Sequence, residues 1–111
     1  MCVATVTDRY LVEETLERLG VRHYFSEIFT CAEVGFGKDK PIIYRKALEH
    51  LGTAKEETYV FEDMYFALNT AKTDSFPTVS VYDRHEAHQD ELKWLADYYI
   101  SDFTDPILKT I

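Results

Sequence analysis

Little in these 111 residues breaks regular structure: there are four glycines and three prolines, all scattered. No linker, repeat or low-complexity tract interrupts the chain, so residues 1–111 read as one folding unit. Two cysteines, Cys2 and Cys31, are too few for a disulfide framework. Both lie in or beside apolar runs, which predicts buried free thiols. There is no run of 18 apolar residues, no basic leader ahead of an apolar stretch and no lipidation motif, and the expectation is a cytoplasmic protein. Positive charge is also short. Twelve Lys and Arg against twenty Asp and Glu leave a formal net charge of -8, which argues against nucleic acid or an anionic membrane as partner.

What the chain does have is apolar material, 46% hydrophobic and 14% aromatic residues, enough for a core at this length. The apolar residues come in alternating periods. Residues 2–6 form a short, partly β-branched run that predicts a buried strand. Thr7 or Asp8 can then cap a helix carrying Tyr10, Leu11, Thr15, Leu16 and Leu19 at helical spacing and closed by Gly20. A second strand is predicted over 27–31. A helix over 41–51 has Pro41 in its first turn and ends at Gly52. A third strand over 58–62, a helix over 65–73, a strand over 76–82, a helix over 89–96 and a last short strand over 98–100 complete the series. Strands alternating with helices predict an α/β fold with a parallel sheet.

Three polar clusters interrupt this alternation: residues 5–8, residues 37–41, and the adjacent acids Glu62 and Asp63. The first and third follow predicted strands, and in open α/β sheets the carboxyl ends of strands are where ligands bind. A hydroxyl, an ammonium and a carboxylate pair can together hold a phosphate and a divalent cation. The hydroxyl donates to phosphate oxygens, the ammonium neutralises charge and the carboxylates ligate Mg²⁺. Taken singly, each residue has a plainer reading: Thr5 as a strand residue, Lys38 as a solvated loop charge, and Glu62-Asp63 as a helix cap.

In order and spacing the three clusters resemble the motifs of the haloacid dehalogenase superfamily, in particular its phosphatases and β-phosphoglucomutase-like members. Val3-Ala4-Thr5-Val6-Thr7-Asp8 is similar to the family's second motif, a Thr or Ser that ends an apolar strand. Gly37-Lys38-Asp39-Lys40-Pro41 looks like the third, a Lys before a proline-led helix, with Lys38 the first candidate and Lys40 the second. Tyr59-Val60-Phe61-Glu62-Asp63 resembles the fourth, an apolar strand ending in two acids. The resemblance runs nearly end to end. It implies a Rossmann-like core and a Mg²⁺-dependent phosphoryl-transfer site acting on a small phosphorylated metabolite. In that site Thr5 and Lys38 are the catalytic residues; Thr5, Val6 and Lys38 bind phosphate; and Glu62 and Asp63 serve the metal.

The chain departs from the family in one large respect. The first motif, an Asp-x-Asp after a strand, supplies nucleophile and acid/base, and no such segment precedes Thr5. The cap that follows that motif in relatives is absent too. The chain is therefore expected to be the C-terminal portion of a core domain, inactive alone and holding Mg²⁺ weakly or not at all. A second reading is a standalone, non-catalytic protein that binds phosphate or metal. In the family the first-motif strand lies between the strands ending at Thr5 and at Glu62-Asp63. The resemblance thus implies unpaired backbone edges, to be covered by a complementary N-terminal segment, by the two edges closing on each other, or by self-association.

Smaller features carry structural expectations. Ser75 stands where relatives usually place a glycine to end the helix in a left-handed conformation. The four histidines, His23, His50, His85 and His88, show no metal-ligand spacing and read as surface or partly buried residues. Trp94, with Leu92 and Leu95, reads as core.

Overall fold

The computed structural model describes residues 1–110; Ile111 lies outside the described residues. The fold is α/β, with every strand pair parallel and helices flanking the sheets. The chain divides into two compact units, Met1–Ala54 and the residues from Lys55 onward. No helix among the described residues is long and apolar enough to cross a membrane.

In the first unit, β1 (Cys2–Thr5) pairs with β2 (Glu27–Thr30) from Cys2 opposite Glu27 to Thr5 opposite Thr30. The amide of Ser26 donating to the Met1 carbonyl lengthens this ladder. The connection is α1 (Arg9–Arg18), whose C-terminus closes as the sequence predicts. Gly20 sits at φ +73, its amide donates to Glu17 O and that of Val21 to Leu16 O. This is the paired bonding of a Schellman end. The predicted strand over 27–31 stops one residue early, because the Thr30 hydroxyl accepts the Glu33 amide and opens a short helix, α2 (Cys31–Val34). The pattern Thr30-x-x-Glu33 is a capping signal. α3 (Ile42–Leu51) packs on both strands and buries Ile43 and Tyr44 beside Ile28.

In the second unit, β3 (Val60–Glu62), β4 (Thr78–Val81) and β5 (Tyr98–Ile100) form one sheet in that order. α4 (Tyr65–Thr73) and α5 (Gln89–Leu95) make the crossovers and pack on each other. Ala67, Leu68 and Ala71 form the buried stripe of α4 and meet a core of Phe76, Val79, Leu92 and Ile100. β3 is shorter than predicted because the Thr58 amide is committed to Lys55 O, which closes a 3-10 turn over Lys55–Glu57. β4 also starts late: Phe76 completes the end of α4, and Pro77 has no amide to give a ladder. Ser75 does adopt the left-handed conformation, at φ +68, with its amide on Lys72 O and that of Phe76 on Ala71 O.

Two burial expectations are corrected. Cys2 and Cys31 are free thiols but only half-buried. Trp94 is not core: it is 90% exposed, while Leu92 is fully buried. Two residues along a helix is about 200° around its axis, so the turn that points Leu92 at the sheet points Trp94 away from it. All four histidines are exposed.

Candidate phosphate and metal residues

Thr5 closes β1, and its hydroxyl accepts the Thr7 amide at 3.0 Å. This local turn, a common habit of Thr at strand ends, bends the chain at Val6, which is 65% exposed. α1 then begins at Arg9 from an extended Asp8, and no side chain caps its first turn. The sequence thus delivers a hydroxyl, a bend and a helix start in five residues. Arg9 anchors that helix start. It makes a forked ion pair to Glu33, with 2.9 Å from Nε and 3.0 Å from Nη2, and also reaches Glu13, Glu27 and the Ile28 carbonyl. The hydrogen bond from Arg9 holds the Glu33 carboxyl below the usual glutamate range. The longer reach of this network was not legible in the sequence, because the Ile28 carbonyl and Glu33 lie 19 and 24 residues from Arg9.

Lys38 lies in the turn between α2 and α3, where it is half-buried and engaged by a partner, whereas Lys40 is exposed. The Lys40 amide donates to Gly37 O, which tightens the turn just before Pro41. Within the first unit, Thr5 and Val6 are joined by one turn, and Lys38 stands in a loop of its own.

Glu62 ends β3 and is buried, whereas Asp63 begins the bend before α4 and is half-buried. In a strand, successive side chains point to opposite faces; the bend at Asp63 releases the second carboxylate from that alternation. Among the described residues, no group of three or more His, Cys, Asp or Glu side chains is placed to hold a metal ion. Two carboxylates are hard oxygen donors of the right kind for Mg²⁺, but they fill only part of an octahedral shell. Ser80, which lies opposite Glu62 in the β3–β4 register, was not singled out by the sequence. Its hydroxyl is buried and makes no hydrogen bond among the described residues.

A charged clamp fastens the far side of the second sheet. Lys72 Nζ is 2.6 Å from Asp97 Oδ1, and the Thr78 amide donates to Asp97 Oδ2 at 2.8 Å. Burial opposes ionisation of Asp97, yet the hydrogen bonds from Lys72 and Thr78 hold its carboxyl below the ordinary aspartate range.

Comparison with known proteins agrees with these motifs. The sequence profile described as haloacid dehalogenase-like hydrolase matches residues 1–81. The chain is 28% identical over 81 residues to the fructose-1-phosphate phosphatase YqaB of Escherichia coli, covering 73% of this chain and 43% of that protein. The crystal structure of a putative β-phosphoglucomutase from Thermotoga maritima is 28% identical with a TM-score of 0.76, over 89% of this chain and 46% of that one. CbbY from Rhodobacter sphaeroides, solved in complex with phosphate, is 27% identical with a TM-score of 0.80, over 94% of this chain and 47% of that one. The chain therefore spans less than half the length of each of these relatives. The profile match extends through all three candidate motifs, and the chain belongs to the haloacid dehalogenase-like hydrolase family.

Proposed function

We propose that this chain supplies part of the machinery of a Mg²⁺-dependent phosphatase or phosphomutase acting on a small phosphorylated metabolite. The observation that carries the reading is that each unit ends its first strand in the residues the family's motifs require, Thr5 closing β1 and Glu62 closing β3. In the first unit, the Thr5 hydroxyl and the Val6 amide bind phosphoryl oxygens. An uncapped helix start next to them favours an anion. Lys38 neutralises charge that develops during transfer. In the second unit, Glu62 and Asp63 would hold Mg²⁺, which would supply charge neutralisation for phosphoryl transfer. Phosphoryl transfer depends chiefly on such positioning and charge neutralisation.

The nucleophile is not among these residues. In this reading the chain alone does not turn over, and an Asp-x-Asp strand reaches it from a complementary segment. Two facts support that partner. Among the described residues, β1 pairs with β2 alone and β3 with β4 alone, and backbone edges of this kind accept a further strand. Self-association is the alternative way to cover them, and native mass measurement of the purified chain separates the two. Two free thiols and the absence of any disulfide accord with a cytoplasmic setting.

The test is a pair of measurements on the whole chain. Calorimetric titration with Mg²⁺ is expected to show weak binding that disappears in Asp63→Asn. Incubation with a general phosphate ester and Mg²⁺ is expected to show no turnover. Robust hydrolysis by the chain alone, abolished by Asp63→Asn, would show that no complementary segment is needed.

A further inference from the structure

Trp94, the single tryptophan of the chain, stands 90% exposed on α5. It does not stand alone. With Tyr65, Leu95, Asp90 and Glu91 it lines an open groove of about 520 Å³ in the second unit. The chemistry of that lining is specific in kind. Two aromatic rings and a leucine offer apolar surface, two carboxylates offer negative charge, and no Lys or Arg is among the lining residues. His88 lies nearby, its ring 5.4 Å from that of Tyr65 and its Nδ1 3.7 Å from Glu91. Lys93, the nearest cation in sequence, is drawn off over the Tyr99 ring.

We propose that this groove is a docking site for a basic segment of a partner protein, one that lays an arginine or lysine side chain along Trp94. Charge complementarity selects this occupant. The face of an indole attracts cations, and Arg stacks on it with its aliphatic stem on apolar surface. Asp90 and Glu91 pair with the head group. An acidic or neutral segment would gain the apolar contact but meet repulsion or no partner at the two carboxylates. A second copy of this chain, with net charge -8, is disfavoured for the same reason. Exposed Trp and Tyr are also the side chains that most often dominate protein–protein contacts.

Because Trp94 is the only indole, its fluorescence reports on this groove alone. The experiment titrates the full chain with an arginine-rich nonapeptide, a glutamate-rich nonapeptide and choline. The arginine peptide is expected to give a saturable change in Trp94 emission. The change should weaken severalfold when salt rises to about 0.5 M, and about threefold or more in Asp90→Asn/Glu91→Gln. Those substitutions lie on exposed positions of α5, so circular dichroism of the variant should match that of the parent. Trp94→Leu, followed by calorimetry, should weaken peptide binding to a similar degree. The proposal is overturned if the arginine peptide gives no saturable change, or if the change survives loss of both carboxylates. It is also overturned if the glutamate peptide binds equally well, or if choline binds as tightly as the peptide, which would mark a small-molecule site instead.

Discussion

The first unit lays two strands under α3 and leaves α1 without a single fully buried side chain, so that Tyr10, Leu11 and Leu19 are exposed. The second unit lays three strands under α4 and α5 and closes Leu68, Phe76, Val79, Leu92 and Ile100 away from water. The two arrangements hold their helices by different means. α4 is held by burial, with each buried aliphatic side chain contributing roughly 1.5–3 kcal/mol relative to exposure. α1 is held at its start by the Arg9 fork and its carboxylates, whose partners are all substantially solvent-accessible, and exposed ion pairs contribute about 0–1 kcal/mol each. The lesson is that the helix following the candidate phosphate residues is held more weakly than its counterpart in the second unit.

The strongest way to break this comparison is a pair of truncations. Leu68→Ala in α4 should cost about 2–5 kcal/mol, as large-to-small changes at fully buried sites do. Leu19→Ala at the C-cap of α1, a 60% exposed position, should stay within about 0.5 kcal/mol. Urea unfolding of both variants measures the difference, and equal costs would show that α1 is held by packing after all.

A smaller effect is expected at the clamp in the second unit. Asp97→Ala leaves the buried Thr78 amide without its acceptor and should cost about 1–3 kcal/mol. The parent's clamp is also pH-dependent in a defined direction. The Asp97 carboxyl is depressed from its ordinary value of 3.8 in the folded chain. Its contribution is therefore fully present above that value and is lost as pH falls below it. The gap in melting temperature between parent and Asp97→Ala should shrink as pH is lowered from 5 toward about 2.5.

Arg9→Met should cost about 1 kcal/mol in global stability, and its local effect should be clearer. The amides of β2 should exchange faster with deuterium in the variant, while those of β4 are unchanged. The smallest effect is a gain. Ser75→Gly relieves a left-handed residue that has a side chain, at φ +68, and should stabilise the chain by about 0.5–1 kcal/mol, read as a rise in melting temperature.

Much of this fold was legible in the sequence because its signals are local. The helices at Tyr65–Thr73 and Ile42–Leu51 and the last strand Tyr98–Ile100 follow from apolar period and from glycine or proline punctuation within a few residues. Gly20 marks its helix end for the same reason, whereas Ser75 does so only through the resemblance to relatives that usually place a glycine there. The misreadings have equally local causes. Cys31 has the neighbours of a strand residue, but the Thr30 cap takes it into α2. Trp94 has the hydrophobicity of a core residue, but its position around α5 turns it outward. The candidate residues Thr5 and Glu62 are legible as residue types at strand ends, and Lys38 as a loop residue ahead of Pro41. The Arg9 network and the unpartnered Ser80 hydroxyl were not, since each depends on neighbours that only the folded chain brings close.

The parallel direction of every strand pair has a consequence for how the chain reaches this structure. A two-residue hairpin can begin an antiparallel ladder, but neither sheet here contains one. Cys2 meets Glu27 only after α1 has been traversed, and Val60 meets Thr78 only after α4. No rung can therefore form before a helix-length loop has closed, and that entropy is spent before any ladder bond returns it. Folding should be slow for so short a chain, and during that interval the apolar strands stand open to other molecules. Yield from refolding should consequently fall with protein concentration well before the native state itself becomes insoluble.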